Sequence, residues 1–293
     1  MLKASKSSGS NKSEGCAIVV DAHAHTSGEF CRGGDVVRAM DEAGADKAIL
    51  CPGPINTPKK WPIPDLTKYF KKRGFGFWVN RYLRLANIRV AREFDVVESN
   101  AYVAGLVRPF PGRLYQAYWA DPSAPDFQDT LKEKHAEWNF VAVKLHQCFQ
   151  KFEIDSAAMH ELAGWTGAEG LPIFIHLYAK RDARALVSLA ASHPGTTFVV
   201  AHMLGIEIFA GAGRAALPNV YFDISPPNLT PIGRLLRTLD AFGPDRLLLG
   251  SDTPYGKNNL KKIIARVRGL DIPDRDKALI LGGNARRIYN LTD

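Results

Sequence analysis

From residue 17 onward, short apolar runs alternate with longer stretches whose apolar residues recur every three or four positions. The runs are AIVVDAH (17–23), KAILC (47–51), AYVAGLVRPF (101–110), FVAVKLH (140–146), PIFIH (172–176), TTFVVAH (196–202), NVYFDIS (219–225) and RLLLGSD (246–252). Rich in Val, Ile, Leu and Phe and nearly unbroken in hydrophobicity, they predict strands covered on both faces, as in an all-parallel sheet. The stretches GGDVVRAMDEAG (33–44), AAMHELAGWTGAEG (157–170), RDARALVSLAASH (181–193) and IGRLLRTLDAFG (232–243) predict amphipathic helices, several of them stopped by glycine. Eight strands with helices between them predict an α/β fold, a (β/α)8 TIM barrel. Strand ends fall near residues 25, 51, 109, 146, 176, 202, 224 and 252. The long interval after 51 predicts an insertion after strand 2. An open doubly wound sheet would place a Gly-rich phosphate turn after strand 1, and GxGxxG is absent there.

Polar residues gather where the predicted strands end. Strand 1 ends in Asp21-Ala-His23-Ala-His25, strand 4 in Lys144-Leu-His146, strand 5 in His176, strand 6 in His202 and strand 8 in Asp252. Five of the eight histidines thus sit at C-terminal strand ends, the face on which barrel active sites are built. Residues i and i+2 of a strand point the same way, so His23 and His25 are expected to face the interior together. Ala22 and Ala24 are then expected to face the helices. Two parallel imidazoles with further histidines and a carboxylate make a transition-metal site, suited to Zn, Mn, Fe or Ni. Arg108 ends the predicted strand 3, where its planar fork would suit a carboxylate or phosphate, or a surface salt bridge. Asp223 and Ser225 end strand 7, but alternation does not say which face they share.

The pieces VDAHAH (20–25), VAVKLH (141–146), LPIFIH (171–176), FVVAHMLG (198–205), LLLGSDTPYG (247–256) and LGGNARRIYNL (281–291) resemble the amidohydrolase superfamily, in its amidohydrolase-related (family 2) branch of small metal-dependent barrels. That branch includes hydrolases and nonoxidative decarboxylases. The resemblance implies that His23, His25, His176 and Asp252 bind a divalent metal, Zn first and Mn second. It implies that His202 activates or orients bound water and that His202 and Asp252 move protons. In binuclear superfamily members a strand-4 lysine is carbamylated and bridges two metals. Lys144 either does this or stays a cation that binds substrate, and His146 either binds substrate or orients Lys144.

Charge adds a second theme. The chain of 293 residues carries a net charge of +8. Between 59 and 92 lie Lys59, Lys60, Lys68, Lys71, Lys72, Arg73, Arg81, Arg84, Arg89 and Arg92, interleaved with aromatics and opposed only by Asp65. Residues 55–82 are expected to form a lid that steers a small anionic substrate to the metal, or a solvated face. Basic residues among aromatics also suit nucleic acid, but phosphate binding does not call for the converging His/Asp set. Neither nucleic acid nor a membrane is expected as a partner; a homo-oligomer stays open. Residues 1–15, rich in Ser, Gly and Lys, lack the apolar core of a signal peptide and read as a flexible tail before a single domain at 16–293. Four cysteines without a CxxC pair suit a reducing compartment, so a cytoplasmic location is expected.

Two activities fit these residues. One is hydrolysis of a C–N or C–O bond through a metal-activated water. The alternative is nonoxidative decarboxylation of a small unsaturated or aromatic carboxylic acid.

Overall fold

The computed structural model describes residues 17–53, 76–93 and 95–292. The expected tail and most of the expected lid, with Lys71, Lys72 and Arg73, lie outside the described residues. Eight parallel strands follow one another in chain order, β1 (Val20–His25), β2 (Lys47–Cys51), β3 (Leu114–Trp119), β4 (Ala142–His146), β5 (Ile173–His176), β6 (Phe198–Val200), β7 (Val220–Asp223) and β8 (Leu247–Leu248). The eighth returns to the first: Ala22 N–H donates to Leu249 O at 2.9 Å and Asp252 N–H to His23 O at 2.7 Å. The fold is a (β/α)8 barrel. Among the described residues no helix is long and apolar enough to cross a membrane.

Alternation along the strands separates two cores. Leu50, Val143, Leu145, Ile173, Ile175, Val200 and Phe222 face outward onto the helices. Val20, Ile49, Ala117, Ala142, Phe174, Val199, Tyr221 and Leu248 fill the barrel itself. Ile288, Tyr289 and Leu291, from the segment around Asn284–Ile288, join the inner cluster. They enter from the N-terminal end of the barrel, where Lys47 donates to Gly112 O at 2.8 Å. The opposite end is thereby left as the place for chemistry.

The third strand differs from the expectation. Residues 96–107 form a helix, and β3 lies at Leu114–Trp119. The Asp95 side chain accepts from Glu98 N–H at 2.9 Å and so starts the helix. Asn100, buried within it, accepts from Trp119 N–H and donates to Trp119 O, each at 2.8 Å, which fastens the helix to β3. Arg108 is the exposed C-cap of that helix and does not reach the strand-end face. It is not one of the site residues.

The first strand also departs from simple alternation. Asp21 pairs with Ala48, but Ala24 pairs with Leu50, so β1 carries one more residue than β2 across this step. Such a bulge turns two successive side chains to one side. Ala22 and His23 accordingly line the same interior cavity, while Ala24 alone packs in the outer core.

Candidate metal centre

Each strand end contributes a buried side chain to one cluster. His23 and His25 come from β1, Cys51 from β2, Trp119 from β3, Lys144 and His146 from β4, His176 from β5 and Asp223 from β7. His202 does not follow from strand alternation. It sits in a turn after β6 with φ 58, a left-handed backbone that a side chain rarely adopts, and this turns the ring inward. Asp252 reaches the cluster the same way, with φ 51.

The hydrogen bonds fix which nitrogen of each ring faces the interior. His23 Nδ1 meets Asp223 Oδ2 at 3.2 Å and Ser225 Oγ at 3.1 Å. His25 Nδ1 meets Pro52 O at 2.9 Å, and His202 Nδ1 meets Ser225 O at 2.9 Å. A carbonyl or carboxylate only accepts, so these three rings carry a proton on Nδ1 and turn Nε2 to the interior, where a neutral ring presents its lone pair. All three Nε2 atoms converge on one carboxylate. Asp252 Oδ1 lies 3.4 Å from His25 Nε2 and 3.6 Å from His23 Nε2, and Oδ2 lies 3.9 Å from His202 Nε2.

Four bases packed out of water need positive charge among them. Burial, followed by Lys144, holds His23 well below the ordinary imidazole pKa; burial also lowers His202. Burial would raise Asp252, but His23, His202 and His25 outweigh it and keep the carboxyl below its usual value. At His25 burial opposes charge, yet Cys51 and Asp252 overcome it and raise the pKa to about 10. Burial lowers the pKa of Lys144, against the pull of Cys51, Asp252 and Asp223; its Nζ is 3.0 Å from His23 Nε2 and 4.1 Å from the centre of the Phe174 ring.

Donors bound about 2.1 Å from a tetrahedral cation are separated by roughly 3.4 Å. The 3.4 and 3.6 Å spacings from Asp252 Oδ1 to His25 Nε2 and His23 Nε2 are of that size, and imidazole with carboxylate is a fitting donor set. Among the described residues, the groupings whose three donor atoms all lie within 4.8 Å of one another are His23, His25 and Cys51; His23, His202 and Asp223; and His146, Cys148 and His176. Cys51 Sγ lies on the Nδ1 side of His25, at 3.2 Å against 3.9 Å to Nε2. Asp223 is engaged by the Nδ1 edge of His23. Burial pushes the Cys148 thiol up to about 12, which leaves it protonated and a poor ligand.

His176 and His146 lie one step aside. Their rings stack at 4.0 Å and 9°, and Trp119 stacks on the other face of His146 at 5.5 Å and 4°. Phe149 and Tyr255 stand edge-on to His146 and His25. His176 Nε2 bonds Asn80 Oδ1 at 3.0 Å. Asn80 and Arg84 belong to the helix Phe77–Glu93, the described end of the insertion; Arg84 Nη2 donates to Gln147 O at 2.9 Å. This helix therefore packs against the strand-end mouth through Asn80 and Arg84.

Cys51 and Trp119 join the cluster without a signal in the sequence. Asp223 and Ser225 read in the sequence only as an alternating pair, and the barrel shows that they face His23 and His202. Gly250 adds to these. A Cβ there would overlap Asp223 Oδ1 and come within 2.8 Å of His23 Cβ. Gly250→Ala is expected to destabilise the fold by roughly 1–3 kcal/mol and to lower metal content, because the atoms it displaces are those that orient the centre. Urea unfolding with elemental analysis checks this; a variant with unchanged midpoint and metal content would refute it.

The geometry has counterparts. The family model described as Amidohydrolase matches residues 79–291, more than half of the chain. The match begins after β2, so His23 and His25 lie outside it. No curated protein matches the chain in sequence. Among solved structures the chain is similar to 2,6-dihydroxybenzoate decarboxylase from Rhizobium, at 15% identity over 94% of this chain and 99% of that one, with TM-score 0.64. It is similar to 5-carboxyvanillate decarboxylase from Sphingomonas paucimobilis, at 15% identity over 94% and 100%, TM-score 0.64. A zinc-bound amidohydrolase from Burkholderia multivorans gives 18% identity over 94% and 100%, TM-score 0.63. At these identities the likeness establishes the barrel.

Proposed function

The chain belongs to the amidohydrolase family, and on that premise we propose that it is a metal-dependent nonoxidative decarboxylase of a small aromatic or unsaturated carboxylic acid. The observation that carries this reading is the convergence of three Nε2 atoms on Asp252 beside a wall of rings. Trp119, His146 and His176 stack with nearly parallel planes, and Tyr255 stands edge-on to His25. That is a setting for a flat substrate next to a cation. Two of the similar structures are decarboxylases of aromatic acids, which supports the choice.

His23 Nε2, His25 Nε2 and Asp252 Oδ1 would hold the metal, zinc or manganese, with His176 as a further ligand. When bound, such a cation polarises a substrate oxygen and lowers the pKa of water beside it. The remaining work falls to side chains. Loss of CO2 needs one proton delivered to the carbon it leaves. His202 and Asp252 are the pair for that transfer. With Nδ1–H tied to Ser225 O, an incoming proton sits on His202 Nε2, facing Asp252 Oδ2 at 3.9 Å. Asp223 bonds His23 Nδ1 and the His202 backbone N–H, at 3.2 and 3.1 Å, and so orients both rings. Lys144 donates to the His23 Nε2 lone pair, so cation binding competes with that hydrogen bond.

Hydrolysis of an amide, lactone or ester is the second reading. The His202–Asp252 pair favours it too, since the same atoms can accept a proton from water. A panel of hydroxybenzoic and unsaturated acids, run beside lactones, esters and amides, separates the two. CO2 release equal to acid consumed is expected, lost on chelation and restored by Zn or Mn. Turnover of amides or lactones without CO2 would overturn decarboxylation. Full activity of metal-free protein would overturn both.

A further inference from the structure

We infer that Asn80, contributed by the insertion, is a positioning residue that locks His176 in the Nε2–H tautomer, opposite to that of His23, His25 and His202. This rests on the proposed role of His176 as a metal ligand, and it specifies the atom: Nδ1.

The orientation of the Asn80 amide follows from its other bonds. Its Nδ2 donates to two carbonyls, Leu177 O and Tyr178 O, each at 2.8 Å. Those oxygens only accept, so the NH2 end must point at them. The atom left facing His176 is then Oδ1, at 3.0 Å from Nε2. An amide oxygen only accepts, so His176 Nε2 carries the hydrogen. A neutral imidazole has one N–H, and its lone pair is therefore on Nδ1. Asn80 is fully buried, and no water is needed to complete this network. The stack of His146 on His176 at 4.0 Å and 9° restrains the ring further. In the first three rings an oxygen acceptor holds Nδ1–H and turns Nε2 inward; at β5 an oxygen acceptor holds Nε2–H and leaves the lone pair on Nδ1.

The arrangement has a second consequence. Asn80 lies three residues into the helix Phe77–Glu93, yet its side chain spans His176 and the two residues that follow it. The insertion is thereby connected to the ligand set by one amide rather than by charge alone. Partners of this kind change metal affinity by about 10–100-fold when removed.

The test reads the tautomer directly. In metal-free, 15N-histidine-labelled protein, long-range 1H–15N spectra report which nitrogen of each ring is protonated, and the His176 signals are assigned by their loss in His176→Gln. Wild type is expected to show Nε2–H at His176. Asn80→Leu, similar in volume and without an acceptor, should mix or reverse the tautomer and weaken Zn affinity by about 10–100-fold in chelator competition. Asn80→Asp, which keeps an acceptor at Nε2, should retain the tautomer. Wild-type Nδ1–H would overturn the inference without any variant having to fold. So would an unchanged tautomer in a folded Asn80→Leu protein, or a tautomer lost in both variants, which would mean that packing holds the ring. If wild type shows Nε2–H but binds no metal, the tautomer lock stands and the ligand reading fails.

Discussion

Asp252→Asn is expected to lower kcat/KM by about three orders of magnitude while leaving the melting temperature within a few degrees of wild type. Asp252 faces both halves of the centre on their Nε2 side. Oδ1 faces His23 and His25 at 3.6 and 3.4 Å, and Oδ2 faces His202 at 3.9 Å. Its neutral replacement removes the anionic ligand and the proton partner of His202 together. Proton transfer alone contributes typically 10²–10⁴-fold, and metal loss adds to it. Asparagine is the right probe because Asp252 has φ 51, and asparagine visits that left-handed region at little cost. Asp252→Ala would confuse lost chemistry with backbone strain. Activity within tenfold of wild type in the Asn variant, at normal metal content, would remove Asp252 from the mechanism.

The second large effect separates holding the metal from moving the proton. His23→Ala, His25→Ala and His176→Ala are each expected to lower metal content and turnover in parallel, by more than the 10–100-fold that a lost orienting partner costs. His202→Ala is expected to keep most of the metal while turnover falls by 10²–10⁴-fold. The contrast comes from placement: His202 Nε2 faces the far oxygen of Asp252, while His23 and His25 share the near one. Elemental analysis of dialysed variants beside steady-state rates reads both quantities. Complete metal loss in His202→Ala would transfer that residue to the ligand set and favour a two-metal centre that includes Lys144. Retained metal in His176→Ala would instead confine coordination to β1 and β8.

Much of this was visible in the sequence, for physical reasons that also explain what was not. β2 was expected at the residues it occupies, and β4 and β5 within two residues, because both faces of these strands are covered and their apolar runs are continuous. The HxH pair, His202 and Asp252 stand out in the sequence because strand ends mark the active face of a barrel, and the fold brings them together there. AYVAGLVRPF was misjudged because a helix covered by neighbours has the same apolar run as a strand. What decides it is the Asp95 cap and the Asn100 clamp on Trp119, and the second of these exists only once the chain has folded. The true β3, LYQAYW, carries Gln116, whose Nε2 is satisfied by Asn100 O at 2.9 Å. Nothing local announces that partner. Asn80 carries no sequence signal at all, since an asparagine in a basic, aromatic insertion reads as solvated surface.

The extra residue in β1 has a consequence for the phase of that strand. Up to Ala22 the even-numbered positions look into the barrel; from His23 the odd-numbered ones do. The two halves of the strand are thus written in different frames, and the histidine motif keeps its meaning only when counted from its own end. With all six residues kept and no bulge, one half of the strand would face the wrong way. A regular β1 held in place by His25 would send Val20 out and swing Asp21 into the apolar layer beside Ile49. A regular β1 held by Val20 would send both imidazoles into the helices. The strand can seal the barrel and arm its mouth at once only because it changes step between them.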